Sequence, residues 1–267
     1  MSFSSRWLLL DIGNTHTVAG ISDGDQILGQ IRFRTDPAAT ADEYALWVES
    51  LFARQYPEFR IASLNRVIVS SVVPALEFSL SRAFDGVPML WISSEARRQF
   101  SLELPVPSSL GADRLANVAG ALREFSPPFL IIDAGTATTF CLVDASRRYI
   151  GGAIVPGVQT AWKALQAKAA KISSVELKRP ASSLGRTTET QLQSGVILGG
   201  EVLMEGLAAR LIADAQREWG SDSFLNPRMI ATGGCMNELQ LDARFEIRPN
   251  LTLHGLIQYG RWTENST

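Results

Sequence analysis

The chain has 267 residues, and its hydrophobic and charged fractions, 46% and 19%, are those of an ordinary globular protein. With 25 basic and 27 acidic side chains, its formal net charge of −2 gives no general attraction to nucleic acid or to an anionic membrane. The two cysteines, Cys141 and Cys235, fit no metal-binding spacing, which disfavours a zinc site or a disulfide framework. We therefore predict reduced thiols in the core.

The start of the chain has no pattern of a targeting or membrane segment. The apolar run in MSFSSRWLLLDIG ends at Asp11 and is too short for the core of a signal peptide. No apolar run approaches the roughly 18 to 20 residues that a membrane span requires. We expect a cytoplasmic protein that binds neither membrane nor nucleic acid.

The first half of the chain predicts a mixed sheet. Residues 6–12 and 16–22 have the pattern of buried strands, and a third strand is predicted over 26–34. TADEYALWVESLFARQ has apolar residues at helical spacing, with Thr40 and Glu43 placed as a capping box. RVIVSSVVP and PMLWIS add two strands. The order β-β-β-α-β-α-β indicates a mixed sheet covered by helices.

The second half begins a new set of strands. GADRLANVAGALREF predicts a helix, SPPF breaks the chain, and FLIIDAGTATTFCLVDASRRYIGGAIVPG predicts strands. Helices are predicted over Val158–Ala170 and from Thr190 to about Trp219, followed by a strand in RMIATGG and a final helix from about Leu251. We place the domains at 1–117 and 118–267.

Two segments of the chain share one pattern, which indicates an internal duplication. LLLDIGNTHTVAGISDG and LIIDAGTATTFCLVDAS each run from aliphatic residues through Asp-x-Gly and small polar residues into a second strand. Their aspartates, Asp11 and Asp133, lie about half the chain apart. The repeat predicts two copies of one α/β domain.

The repeated turn has the composition of a phosphate-binding site. Glycine allows close approach of the backbone, and amide N–H groups and small hydroxyls can donate to phosphate oxygens. A carboxylate would repel phosphate unless a cation lay between them. A single Asp-x-Gly turn is usually only a turn, but two matched copies predict a cleft with one phosphate hairpin from each half and a metal ion.

A third glycine motif, IATGG at Ile230–Gly234, follows a predicted strand late in the chain. One interpretation is a strand that leaves the sheet through a glycine turn. The alternative is a place where adenosine passes between strand and helix, because paired glycines leave room for a flat base. The residues alone leave both interpretations open.

A series of short motifs resembles one enzyme family. In chain order they are DIGNT, DEY, SSVVP, GADR, DAGTATTF, GGAIVPG, QSG and ATGG. They span nearly the whole chain and resemble the type III pantothenate kinases, also called the Bvg accessory factor family, of the acetate and sugar kinase, Hsc70 and actin superfamily. The resemblance implies duplicated ribonuclease H-like (actin-like) α/β domains, each a mixed five-stranded sheet flanked by helices, with an ATP cleft between them.

The resemblance also implies a reaction, its ligands and a homodimer. The reaction is ATP-dependent phosphorylation of pantothenate to 4'-phosphopantothenate, the first step of coenzyme A biosynthesis, with Mg²⁺ and with K⁺ or NH₄⁺. The predicted helix from Thr190 to Trp219 is our candidate for the dimer contact. The implied ATP contacts are Asp11, Ile12, Gly13, Asn14, Thr15, His16, Thr17, Val18 and Thr136. The implied pantothenate contacts are Gly111, Ala112, Asp113, Arg114 and Thr188.

Three aspartates carry the implied chemistry. Asp11 would hold the magnesium ion that accompanies ATP, and Asp133 the monovalent cation. Asp113 would accept the proton of the pantothenate hydroxyl, because a carboxylate that accepts this hydrogen bond orients the hydroxyl toward the γ-phosphate. Arg114 beside it could pair with the pantothenate carboxylate. The structural alternative is that an acidic residue stands at position 113 only because negative charge is favoured at the start of a helix.

Two positions depart from the family pattern. Leu104 stands where the family has a tyrosine that contacts substrate, and Thr187 where it has an asparagine before the substrate threonine. Leu104 in place of the tyrosine keeps open a kinase or phosphohydrolase of another small hydroxyl compound. A non-catalytic regulator is a further alternative, which the retention of Asp11, Asp113, Arg114 and Asp133 disfavours.

Overall fold

A computed structural model describes residues 6–57, 59–168 and 175–264 of the chain. Backbone contacts divide this part into two compact units. The first unit consists of the described residues within Met1–Gln99, Pro105–Phe125 and Leu251–Thr267, and the second of those within Phe100–Leu104 and Ser126–Asn250.

Strands and helices follow each other largely as the hydrophobic pattern predicts. The strands are β1 (Trp7–Ile12), β2 (His16–Ser22), β3 (Ile27–Arg34), β4 (Arg66–Ser71), β5 (Met89–Trp91), β6 (Ser101–Leu102), β7 (Phe129–Ala134), β8 (Ala137–Val143), β9 (Arg148–Pro156), β10 (Arg228–Thr232) and β11 (Phe245–Ile247). The helices are α1 (Ala41–Ala53), α2 (Glu77–Ala83), α3 (Ala112–Glu124), α4 (Val158–Lys168), α5 (Thr188–Gln193), α6 (Gly199–Trp219) and α7 (Leu251–Glu264). The last two residues of the predicted helix Val158–Ala170 lie outside the described part of the chain.

The first unit contains a five-stranded sheet in the order β3-β2-β1-β4-β5. β1, β2 and β3 pair antiparallel, whereas β4 pairs parallel to β1 and β5 parallel to β4. The side chains of Leu8, Leu9 and Leu10 in β1 are fully buried, as expected for a central strand covered on both faces. The predicted mixed sheet and its β-β-β-α-β-α-β order are confirmed, and so is the Thr40–Glu43 capping box.

The second unit repeats this arrangement in the order β11-β10-β7-β8-β9-β6. β7, β8 and β9 pair antiparallel like β1, β2 and β3, and β10 pairs parallel to β7 as β4 does to β1. The predicted duplication is therefore present in the strand pairing. The described part of this sheet has six strands instead of the five predicted, because Ser101–Leu102 pairs with Arg148 and Tyr149 of β9.

The final helix α7 packs in the first unit, against α3. A Cβ atom on Gly255 would lie 1.8 Å from the carbonyl oxygen of Ala116, and one on Gly120 would lie 2.3 Å from that of Leu251. Glycine thus lets the two helix backbones touch. The units therefore differ from the predicted domains 1–117 and 118–267, because residues distant in sequence supply this contact and because β6 joins the second sheet.

The predicted helix from Thr190 to Trp219 is longer than expected. It begins at Thr188 as α5, passes through a π-helical segment at Ser194–Leu198 and continues as α6. Cys141 and Cys235 are free and buried, so their predicted place in the core is confirmed. Among the helices of the described residues, none is both long enough and apolar enough to cross a bilayer.

Candidate active site

The first predicted phosphate turn joins β1 to β2 in the first unit. Asp11 is half-buried near the end of β1, opposite Ser70 of β4, whose hydroxyl lies 3.3 Å from the Asp11 carboxylate. The Gly13 N–H donates to the carbonyl of His16 at 3.1 Å and closes the turn, and the Thr35 N–H donates to the carbonyl of Thr15 at 3.0 Å. The turn is therefore fixed by its own backbone and by the end of β3.

The side chains of this turn divide between surface and core. Asn14 and His16 are exposed, whereas Ile12 and Thr17 are buried. The side chains of Ile12 and Thr17 therefore belong to the core, and the two residues pair in the ladder between β1 and β2.

A network of buried hydroxyl groups lies beneath the turn. The hydroxyl of Thr17 lies 3.0 Å from that of Thr35 and 3.3 Å from that of Tyr44. Burial raises the pKa of the Tyr44 hydroxyl, so this group remains a hydrogen-bond donor at neutral pH. Because buried polar groups need partners, the network fixes β2 relative to α1 and so supports the turn.

Residues of the GADR motif form the start of α3. Gly111 is the N-cap residue, Ala112 is buried, and Asp113 and Arg114 are half-buried. The Asp113 carboxylate accepts a hydrogen bond of 2.8 Å from the Arg114 N–H. A Cβ atom on Gly111 would lie 2.5 Å from Asp113 Oδ1, so the glycine leaves space for this carboxylate. The Arg114 guanidinium lies 3.4 Å from the carbonyl of Ser109.

Asp11 and the start of α3 lie at the same edge of the first sheet. β1 and β4 are parallel, and at their carboxyl ends the Val72 N–H donates to the carbonyl of Ile12 at 3.0 Å. Gly111 packs against Val72, since a Cβ atom on the glycine would lie 3.7 Å from Val72 Cγ1. Ligands of α/β sheets commonly bind at the carboxyl ends of the strands. The structure thus groups two of the predicted sites within one unit.

The second predicted turn joins β7 to β8 in the second unit. Asp133 is half-buried near the end of β7 and pairs in register with Thr139 and Thr232. Thr136 is exposed at the tip, and its carbonyl accepts hydrogen bonds from the Gly157 N–H at 3.1 Å and from the Thr160 hydroxyl at 2.6 Å. Hydrogen bonds from the start of α4 therefore fix the conformation of this turn.

Two glycines approach the Asp133 turn with their backbones. A Cβ atom on Gly233 would lie 2.5 Å from Asp133 Oδ1, and one on Gly157 would lie 2.1 Å from the carbonyl oxygen of Gly135. Gly233 also has a positive φ of 103°, which other residues rarely adopt. Gly233 of the ATGG motif is therefore required by its contact with the Asp133 turn, a reason that neither sequence interpretation contained.

Thr188 lies in the second unit, at a cavity of about 640 Å³ among α4, α5 and α6. This volume is in the range of small-molecule sites. Apolar side chains such as Leu165, Leu203 and Met204 form much of the lining, and Thr138 and Thr188 contribute hydroxyl groups. The predicted substrate threonine is thus exposed beside a concave surface.

The two departures from the family pattern have different structural settings. Thr187 is the N-cap of α5, and its side chain accepts a hydrogen bond of 3.2 Å from the Thr190 N–H. Threonine and asparagine both cap helices, so this replacement preserves the start of α5. Leu104 is half-buried, two residues beyond the end of β6.

The carboxylates of the two turns fit a particular kind of cation site. The described residues contain no group of three or more His, Cys, Asp or Glu side chains that could hold a metal ion. Magnesium in phosphoryl-transfer sites typically binds one or two carboxylates together with substrate phosphates. Asp11 and Asp133, each near the end of a central strand, have the carboxylate chemistry of such a site.

The duplicated sheets, with an Asp-x-Gly turn in each, have the actin-like fold. MreB5 of Spiroplasma citri bound to ADP has the same fold, with a TM-score of 0.57 and 12% identity over 99% of this chain and 98% of that chain. The predicted α/β fold of two actin-like domains is confirmed at this level.

Sequence comparison identifies the family. The family model described as type III pantothenate kinase matches residues 7–210. The chain is 38% identical to the type III pantothenate kinase of Paramagnetospirillum magneticum over 97% of this chain and 98% of its relative. It is 32% identical to that of Geobacillus sp. strain WCH70, over 93% and 94%. This chain belongs to the type III pantothenate kinase family, and it is a kinase.

Proposed function

We propose that the chain transfers the γ-phosphoryl group of ATP to the terminal hydroxyl of pantothenate and forms 4'-phosphopantothenate, the first step of coenzyme A biosynthesis. Besides family membership, one observation carries the proposal: the Asp11 turn and the Asp113 carboxylate lie at the same edge of the first sheet. A nucleotide-phosphate site and an acceptor-binding carboxylate must be adjacent for direct transfer. Because the reaction uses ATP, we assign it to the cytoplasm.

The two turns bind ATP in this proposal. Residues 12–18 of the first turn, with the exposed Asn14 and His16 side chains, surround phosphate oxygens, and the tip at Thr136 contributes a further ATP contact. Asp11 would hold Mg²⁺, and Asp133 would hold K⁺ or NH₄⁺. These cations would neutralise phosphate charge when bound.

Asp113 orients the acceptor in this proposal. Its carboxylate accepts the hydrogen bond of the pantothenate hydroxyl and takes the proton as the new P–O bond forms. The guanidinium of Arg114, the next residue of α3, pairs with the carboxylate at the other end of pantothenate. Thr188, the remaining substrate contact of this proposal, lies at the cavity among α4, α5 and α6.

The substitution Asp113→Asn tests the assignment of the base. Asparagine keeps the size of the side chain and an oxygen that can accept from the Arg114 N–H, so the fold should be retained. General-base catalysis contributes about 10²- to 10⁴-fold, and we expect kcat for pantothenate phosphorylation to fall within that range. Asp85→Asn, at an exposed aspartate of the same unit, is the matched control. Unchanged turnover in the Asp113 variant would contradict the mechanism.

The acceptor itself is tested with the wild-type protein. A panel of small hydroxyl compounds is assayed with ATP, Mg²⁺ and K⁺, and pantothenate is expected to be phosphorylated fastest. Leu104, in place of the family tyrosine, is the feature that makes the panel necessary. Phosphorylation of another alcohol but not of pantothenate would overturn the substrate assignment and leave the chain a kinase.

A further inference from the structure

The segment 175–187, which leads to Thr188, is held along its length by side chains of the surrounding helices. It has neither helix nor strand. Gln166 of α4 donates to the carbonyl of Val175 and Gln193 of α5 to that of Glu176, both at 2.9 Å. The hydroxyl of Ser194 donates to the carbonyl of Ser183 at 2.6 Å. The backbone of an irregular segment is thereby fixed by hydrogen bonds that specify its path.

The charged contact of this segment is the pair formed by Arg179 and Glu201. Glu201 lies in the first turn of α6 and is only 7% exposed. Both terminal nitrogens of Arg179 bind its carboxylate, and the Nη2–Oε2 distance is 3.2 Å. The same carboxylate accepts a hydrogen bond of 2.6 Å from the Gln240 N–H. Glu201 therefore joins the segment, α6 and the chain beyond the Gly233 turn.

The pair joins a buried carboxylate to an exposed guanidinium, since Glu201 is 7% exposed and the Arg179 side chain 35% exposed. An ion pair with a solvent-exposed partner adds little to stability. The pair contributes specificity instead, because the two-pronged Arg–carboxylate geometry admits few arrangements. What it specifies here is the path of the segment that ends at Thr187, the cap of the helix on which Thr188 is exposed.

We propose that Arg179 and Glu201 are positioning residues that set the place of Thr188 at the acceptor site. The proposal rests on the proposed function, in which Thr188 contacts pantothenate, and extends it to two residues that touch no substrate. Loss of the pair frees the segment, so Thr188 occupies its binding position for a smaller fraction of the time. The acceptor then binds more weakly, whereas the phosphoryl-transfer step at saturation is little changed.

The variants Glu201→Gln and Arg179→Gln test this role through the separation of KM from kcat. Each is expected to raise KM for pantothenate about tenfold, the effect of a typical coupled pair, with kcat and KM for ATP within about twofold of wild type. The double variant should be no worse than either single one. Arg179→Lys keeps the charge and should recover part of the affinity. Asp214→Asn breaks an exposed pair with Arg217 on the same helix and is the matched control.

A second measurement distinguishes failure of this proposal from failure of the proposed function. Trypsin cleaves after Lys178 and Arg186 but not after Arg179, which precedes Pro180, so a released segment in Glu201→Gln should be cut faster than in wild type or Asp214→Asn. Cleavage at the wild-type rate, or a fall in kcat with KM unchanged, would overturn the positioning role. If the wild type phosphorylates an alcohol other than pantothenate, the proposed function fails, and the KM of that alcohol must then rise in the same variants.

A third variant separates the two partners of Glu201. Glu201→Leu removes the acceptor for the Gln240 N–H as well as the charge, whereas glutamine keeps an oxygen at this place. The leucine variant is expected to raise KM for ATP as well as for the acceptor, because Gln240 follows the Gly233 turn that contacts Asp133. Unfolding is followed by thermal denaturation for each variant. A lowered Tm with both KM values unchanged would show a structural role only and would overturn the proposal.

Discussion

At the scale of single residues, Asp133 offers the sharpest test of the cation assignment. Its carboxylate is half-buried at the end of β7, with Gly233 against it. We expect that in Asp133→Ala K⁺ no longer raises the rate and that KM for ATP rises about tenfold, a typical cost of removing a group that supports a bound metal. Rates with K⁺ and with a large organic cation are compared, and Asp214→Asn is the control. Equal K⁺ dependence in variant and wild type would contradict the assignment.

The same scale shows what residue patterns can and cannot reveal. The Thr40–Glu43 capping box was predictable because both partners lie within one helical turn. The burial of Thr17 was not, since it depends on hydroxyl groups of Thr35 and Tyr44 from other elements. Glu201 carries no sequence signal either, because its partners lie far away along the chain. Local chemistry could be predicted, but polar contacts between elements could not.

At the scale of elements, the pairing of α3 with α7 predicts a dependence of stability on pH. His254 of α7 lies 3.6 Å from the carboxylate of Glu124 of α3. Burial lowers the pKa of His254 from its ordinary 6.5, and nearby Arg123 lowers it further, although Glu124 acts in the opposite direction. The unfolded chain therefore binds this proton more readily than the folded chain.

This histidine should lower stability as the solution becomes acidic. Its contribution is neutral well above pH 6.5, and destabilisation grows as the pH falls from about 6.5 through the lowered folded-state pKa. We expect the free energy of unfolding of His254→Gln, measured in denaturant between pH 7.5 and about 5.5, to fall less steeply than that of wild type. His16→Gln, at the exposed histidine, is the control. Equal slopes in His254→Gln and wild type would contradict this prediction.

At the scale of the whole molecule, the duplication was visible in the sequence and the division into units was not. The matched Asp-x-Gly turns after apolar strands predicted two related sheets, because strand periodicity and turn chemistry are local properties. The placement of α7 in the first unit depends on backbone contact at Gly120 and Gly255. The sequence pattern identifies α7 as a helix, but it does not indicate which other helix will pack against its glycine.

Assembly with a second copy gives the last prediction. Leu165 and Leu203 line the cavity beside Thr188 and are 44% and 45% exposed, so α4 and α6 present an apolar surface suited to a partner. We propose a homodimer that covers this surface. A two-fold interface contains each residue twice, so Leu203→Asp would bury two unpaired charges and raise the dimer Kd at least about 100-fold. Sedimentation equilibrium should then show monomers. Leu46→Asp, the same change at an exposed position of α1, is the control and should remain dimeric. If the Leu203→Asp variant also remains dimeric, the dimer contact lies elsewhere.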